Sequence, residues 1–326
     1  MTDVEKMRPA LSVLLVTDQY ETVRLVVSCF AAQTACDRIE MVIVIPSEKA
    51  SQVPVGELTM FQGVKVESVE SIHPMPAARA MALRASTAPV VFIGETHSFP
   101  HPGFAEAIIA AHEGPWDVVV PGLGNANPAT PQSWAAFILD YGYWLSELSA
   151  SPIANGPTWN TSYKRELLTD LGEKLDTALS SGDEIPHALR ARRARVYFEP
   201  SAVIDHTNVE TSGWVDERFL SGLVVGANRA RRWSQARRAF YFFAMPLVPF
   251  VLLYRAGSAI RLLLNENKLP RGSLAAIAAG AIIRTIGEAV GYVAGIGPEA
   301  EQRMEHYELH KLRFASRLAG AVAVFA

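Results

Sequence analysis

The chain is poor in several features that would place a protein at once. Its 326 residues include only two cysteines, Cys29 and Cys36. That number rules out a disulfide framework and reads as buried thiols in a reducing compartment. Neither a G-x-G-x-x-G nor a Walker A pattern follows the first apolar run, so ordinary dinucleotide and P-loop readings fail. The formal net charge is only −3, which offers no global argument for nucleic acid as a partner. No segment repeats at a fixed period, and no tract is of low complexity. The opening "MTDVEKMRPALSVLLVTD" has early acidic residues and a short apolar run, and is not expected to act as a signal peptide.

What is present is apolar. Hydrophobic residues make up 49% and charged residues 19%, oilier than an ordinary soluble enzyme. The length suits one large domain or one domain with an appendage. From Leu11 to about Pro200, short β-branched runs alternate with helical patterns. The strand candidates are "LSVLLV" at 11, "MVIVI" at 41, "VKVESV" at 64, "VVFI" at 90, "DVVVPG" at 117 and "VYFEP" at 196. Helical patterns cover Glu21 to Thr34, Pro76 to Ser86 and Gly103 to His112. This alternation predicts an α/β layered domain with a mostly parallel central sheet, in which ligands collect at the carboxyl ends of the strands. Trp134, Phe137, Ile138, Tyr141, Leu145 and Leu148 recur at helical spacing and read as core or as the wall of an acceptor pocket.

The stretch "VVFIGETHSFPHPGF" concentrates the chemistry. An apolar strand runs out into Glu95 and His97, one residue apart, so in extended backbone both side chains share a face. A strand leaving a hydrophobic core thus aims a carboxylate and an imidazole at one point, which calls for a reason beyond the core. The bland alternative for a lone histidine is a hydrogen-bonded structural residue.

The composition shifts near Arg229. "RARRWSQARR" carries Arg229, Arg231, Arg232, Arg237 and Arg238. The uncharged run "AFYFFAMPLVPFVLLY" follows, shorter than the roughly 20 residues needed to span a bilayer and interrupted by Pro246 and Pro249. A second apolar run, "GSLAAIAAGAII", leads to Arg284 and Glu288, spaced one helical turn apart and able to pair. The expectation is an interfacial or re-entrant pair of amphipathic helices with arginines at the lipid headgroups; the alternative is a pair of core helices. The domain boundary is accordingly drawn between 1–228, catalytic, and 229–326, basic, helical and membrane-associated.

Over roughly residues 10 to 230 the order of these pieces resembles family 2 glycosyltransferases of the GT-A fold. "LSVLLVTDQYETV" stands where that family has its first strand and opening turn. "PAARAMALRASTAPVVFIGETH" is similar to its arginine-bearing helix and the following strand with a D-x-D-like motif. "NGPTWNTSYKRELL" resembles its acceptor-side segment, and "SGDEIPHALRARRARVYFEPSAVIDH" its acidic motif, strand and histidine. "IRTIGEAVGYVAG" looks like the apolar C-terminal extension of membrane-associated members.

The resemblance implies an inverting transferase that moves a sugar from a nucleotide-sugar donor to a lipid or lipid-linked acceptor at the cytoplasmic membrane face, without nucleic acid. It places a divalent cation on Glu95, His97 and His206, and the imidazoles favour manganese over magnesium. Thr17, Asp18, Pro46, Arg79 and Glu95 fall on the donor side, Gly156 and Asn160 on the acceptor side. The sequence departs from the family after the second strand, where "VIVIPSEK" replaces the usual acids. Asp183 and Glu184 match the catalytic base, either of the two; their alternative is a helix N-terminal pair suited to capping. Two other classes are carried. One is a degenerate, lipid-binding member without catalysis. The other is a nucleotidyltransferase, which would want a Gly- and Lys-rich loop where "TDQYETV" stands.

Overall fold

The computed structural model describes residues 8–179, 184–316 and 318. The chain divides into two compact units. Among the described residues, one holds those up to Leu123 with Ser146–Asp205; the other holds Gly124–Leu145 and those from His206 onward.

The first unit is built on a mixed sheet of nine strands: β1 Leu11–Val16, β2 Ile39–Pro46, β3 Gly63–Val69, β4 Val90–Ile93, β5 Ser98–Pro100, β6 Val118–Asn125, β7 Ser151–Ile153, β8 Thr161–Lys164 and β9 Val196–His206. Only the ends of β6 and β9 pass the boundary of the unit. The order is β3-β2-β1-β4-β8-β6-β9-β5, with β7 paired to β9. β1 runs parallel to both β2 and β4, with Leu11 opposite Ile39 and Val90, and β2 runs parallel to β3. β8 is antiparallel to β4 and β6. The central strands are the near-continuous apolar runs that a sheet covered on both faces requires; every residue of β1 is buried. The edge strand β3 is only partly buried and carries Lys65 and Glu67, which discourage further pairing.

Helices α1 Tyr20–Ala31, α2 Met75–Ala85 and α3 Phe104–Glu113 cover the sheet, with the short α5 Arg165–Thr169, α6 Leu175–Ala178 and α7 Glu184–Ala191 beside them. Phe30, Phe92 and Phe104 meet edge to face or tilted at 5.1–6.1 Å, joining α1 and α3 through β4. Cys29 is buried in α1 as a free thiol, while Cys36 is free and only half-buried in the following turn. The predicted first helix is thus shorter than the sequence pattern suggested, ending at Ala31.

The second unit is helical: α4 Pro131–Tyr141, α8 Trp214–Arg232, α9 Gln235–Ala244, α10 Val248–Asn265, α11 Ser273–Ala294 and α12 Pro298–His310. Thr130 caps α4, its hydroxyl accepting from the Ser133 N–H. The Trp134 stripe is core through Tyr141 and Leu145, but the helix stops at Tyr141 and Leu148 is only half-buried. α8 and α11 pack backbone to backbone. A Cβ at Gly222 or Gly287 would fall under 3.0 Å from the carbonyl of Arg284 or Phe219, and the same holds at Gly226 and Gly291 against α11 and α8.

Arg284 and Glu288 do not satisfy each other, although the sequence puts them one turn apart. Glu288 accepts from Arg229 at 2.5 Å and from the Tyr292 hydroxyl at 2.8 Å, and Arg284 approaches Asp140 at 3.5 Å. The tight α8–α11 seam turns these two residues toward different neighbours. Buried Arg218 completes the polar interior with Asp140 at 2.7 Å and Glu217 at 2.6 Å.

His112, in the last turn of α3, meets the Ser162 hydroxyl of β8 at 2.9 Å. Burial pushes its pKa down from the ordinary 6.5 to about 4. Between those values the unfolded chain binds the extra proton and the folded chain does not, so stability falls as pH drops through that window. The expected loss is up to about 3 kcal/mol, taking 1.36 kcal/mol per pH unit. Urea unfolding at pH 7 and pH 4.5 measures it, and His112→Gln should flatten the slope; an unchanged slope would remove His112 as the cause.

Candidate metal centre

β4 ends at Ile93, and Gly94 lets the chain pass close to β1. Its N–H donates to the Leu14 carbonyl at 3.0 Å, and a Cβ there would lie 2.8 Å from Leu15 Cδ2. Glu95, Thr96 and His97 then link β4 to β5, all three buried. His206 is the last residue of β9 and is also buried. One ligand atom from each of Glu95, His97 and His206 lies within 4.8 Å of the other two. The structure therefore gathers the three side chains that the family resemblance had assigned to a cation.

Glu95 is surrounded by hydrogen-bond donors. Its Oε2 accepts from Asn160 Nδ2 at 2.5 Å and from the Ser98 hydroxyl at 3.1 Å, and stands 3.5 Å from His97 Nε2. Thr96 Oγ1 lies 3.3 Å from His97 Nδ1. Burial holds the His206 pKa well below its ordinary value, so the ring is neutral near pH 7, the form that a metal takes. Tyr141 packs on that ring at 4.5 Å between centroids. One carboxylate and two imidazoles, two of the three side chains braced by outer hydrogen bonds, fit a divalent first-row cation.

The other expected site residues divide. Asn160 was placed on the acceptor side; here its amide grips Glu95, and its backbone sits at φ 54° with its N–H bonded to the Ile93 carbonyl at 2.9 Å. Asparagine tolerates that left-handed conformation better than most residues. Its Oδ1 is buried without a hydrogen-bond partner, an acceptor left for a ligand or a water. Gly156 packs on Val120, and any side chain there would collide with it. Arg79, on α2, lays its guanidinium 3.9 Å over the Trp159 ring, a cation–π contact that fixes its direction. Thr17 and Asp18 follow β1 and shape the turn into α1: Thr17 Oγ1 donates to the Gln19 carbonyl at 2.7 Å, and Asp18 accepts from Thr22 at 2.8 Å. Pro46 ends β2. Asp183 lies outside the described residues, and of Glu184 only its place at the start of α7 is described. Sequence reasoning missed Ser98 and Asn208. Asn208 follows His206 by two residues, where alternation along extended chain was the available signal; Ser98 lies three residues past Glu95, where alternation offers none.

No family model matches the chain, and no curated protein matches it in sequence. In structure it is similar to the mannosyltransferase PcManGT from Pyrobaculum calidifontis in complex with GDP-Man and Mn2+, with a TM-score of 0.54, 17% identity and 89% of each chain covered. The fold is similar to that of GT-A glycosyltransferases. Weaker likenesses are to S. aureus TarS 1-349 with UDP-GlcNAc (TM-score 0.49, 15% identity, 89% of this chain and 92% of that one). GalNAc-T7 with UDP, GalNAc and Mn2+ gives a TM-score of 0.47 at 15% identity, over 64% of this chain and 45% of that one.

Removing a ligand should show directly in metal binding. Calorimetric titration with Mn2+ is expected to give a His97→Ala affinity lower by at least about 100-fold, since even outer-shell losses cost 10–100-fold. Equal binding by this variant and the unaltered protein would remove His97 from the site.

Proposed function

We propose that this protein is an inverting, nucleotide-sugar-dependent glycosyltransferase of family 2, a hexosyltransferase acting on a lipid or lipid-linked acceptor at the cytoplasmic face of the membrane. The observation that carries the reading is the buried Glu95–His97–His206 group at strand ends of a GT-A-like sheet. A divalent cation held there, with Mn2+ preferred to Mg2+, would neutralise the charge that grows on the departing nucleoside diphosphate. The remaining work belongs to the chain. Arg79, braced on Trp159, would present a fixed positive charge to the donor phosphates. Thr17, Asp18 and Pro46 end the strands on which a donor would lie. The acceptor hydroxyl attacks the anomeric carbon opposite the breaking bond to phosphate, and Asp183 or Glu184 takes the hydroxyl proton as the new bond forms.

The membrane part of the proposal rests on the second unit. Gln235–Asn265, 31 residues long, holds an 18-residue stretch of mean hydropathy 1.6, and Ser273–Ala294, 22 residues long, holds one of 1.5. Phe243, Phe250 and Tyr254 are 79%, 70% and 87% exposed, an apolar face that water does not favour. α11 is committed on one side to α8, while Leu274, Ile282, Ile286 and Val293 are exposed. That two-sidedness suits a helix lying in the interface better than one crossing alone. Arg231, Arg232 and Arg237 are exposed beside the apolar face, each able to add about 1 kcal/mol at an anionic surface.

Two experiments test this. Purified protein is incubated with Mn2+, a panel of GDP- and UDP-sugars and a membrane lipid extract, with products read by mass; transfer is expected, and should be lost in chelator. Asp183→Asn or Glu184→Gln should lower kcat by about 100-fold or more while donor affinity is kept, as expected for a base that acts only in the transition state. Normal turnover in both variants would leave the pair as a helix cap. Independently, the full chain should float with anionic liposomes and lose that behaviour in Phe243→Ser/Phe250→Ser; a chain that remains soluble without detergent and never floats would return α9 to α11 to the role of protein core.

A further inference from the structure

We infer that Asn208 is a positioning residue that fixes the tautomer of His206, with the proton on Nδ1 and Nε2 in the unprotonated form that a cation takes. The inference rests on the metal reading above and deepens it. The argument is a chain of donors and acceptors with only one consistent solution. It starts from the backbone N–H of Asn127, which can only donate; its partner at 3.1 Å is therefore the carboxamide oxygen of Asn125. The Ser133 hydroxyl donates to that same oxygen at 3.0 Å. Asn208 reaches the Asn125 oxygen at 3.0 Å, and the His206 carbonyl oxygen at 3.2 Å, through one atom of its amide. Both of those oxygens can only accept, so the atom is the NH2 group.

The other end of the Asn208 amide is then its oxygen, and it lies 3.2 Å from His206 Nδ1. An oxygen acceptor requires Nδ1 to carry the proton. In a neutral imidazole the second nitrogen, Nε2, is then unprotonated. The amide cannot rotate to reverse this, because rotation would set its oxygen against two other oxygens. The backbone of Asn208 is pinned as well: its N–H donates to Asn127 Oδ1 at 2.9 Å, and its carbonyl accepts from Asn127 Nδ2 at 2.9 Å. All the groups in the chain are buried or half-buried, so water does not compete freely for them. Three asparagines thus convert the direction of one backbone N–H into the protonation pattern of a ligand ring two residues past the last link.

The decisive measurement needs no metal. Long-range 1H–15N correlation of the metal-free protein, labelled at histidine and assigned with His206→Gln, reads the tautomer. Nδ1-protonated His206 is expected, and an Nε2-protonated ring overturns the inference. Calorimetric titration with Mn2+ alone then separates the role from simple folding. Asn208→Leu, which offers Nδ1 no acceptor, should lose about 10–100-fold, as outer-shell partners do, and its His206 ring should no longer be held in the Nδ1-protonated form. Equal affinity in Asn208→Leu and the unaltered protein, or a lower affinity with the tautomer unchanged, overturns the inference while leaving the metal site standing. Absence of Mn2+ binding by the unaltered protein overturns the metal reading and this inference together.

Discussion

A carboxylate buried at the end of an apolar strand is the constraint around which the site is organised. Glu95 follows Gly94, which packs on Leu14 and Leu15, and is itself buried, where a carboxylate without hydrogen-bond donors is costly. It stays because Asn160 and Ser98 donate to one of its oxygens and His97 stands alongside. Each of those partners is in turn held by something else. Asn160 is fixed by its bond to the end of β4 and by its left-handed backbone, and Ser98 begins the next strand. The donors that satisfy the buried carboxylate also aim it, so stability and ligand geometry come from the same contacts.

The helical unit solves a different problem with small residues. Glycines at 222, 226, 287 and 291 let α8 and α11 approach until backbone meets backbone, with no room for a Cβ. The approach buries Arg218 and Glu288, which are then satisfied by Asp140, Glu217, Arg229 and Tyr292. Buried ion pairs of this kind add little net stability, yet breaking one is costly, so they fix which helix faces which. With one side of α11 committed to this seam, its apolar residues on the other side remain uncovered.

The sheet strands were readable because a parallel sheet covered on both faces demands unbroken β-branched runs, and "LSVLLV", "MVIVI" and "VVFI" are such runs. The short strands β5, β7 and β8 carry no comparable pattern; three or four residues are too few for periodicity to speak, and their pairing is a tertiary event. Glu95 and His97 were legible as a pair from their close spacing just past β4, although Thr96 and His97 lie in a turn and not in the extended strand that alternation assumed. Arg284 and Glu288 were misread by the same kind of local rule, since one helical turn of separation states who can meet and not who does.

By itself, then, the sequence determined the local terms: which runs are strands, where the chain turns oily and basic, and which two ligands share a strand end. Only the tertiary structure decided that Asn160 braces Glu95 across 65 positions of chain, and that His206 completes the group. It also decided that the NH2 edge of Asn208 faces Asn125, 83 positions away, and so directs a proton onto the His206 ring. The physical reason is range. Backbone periodicity and hydrophobic burial act over a few residues and leave a trace in composition, whereas a hydrogen bond specifies two atoms to within a few tenths of an ångström, and nothing in the spacing of residues along the chain records which two atoms the fold will bring together.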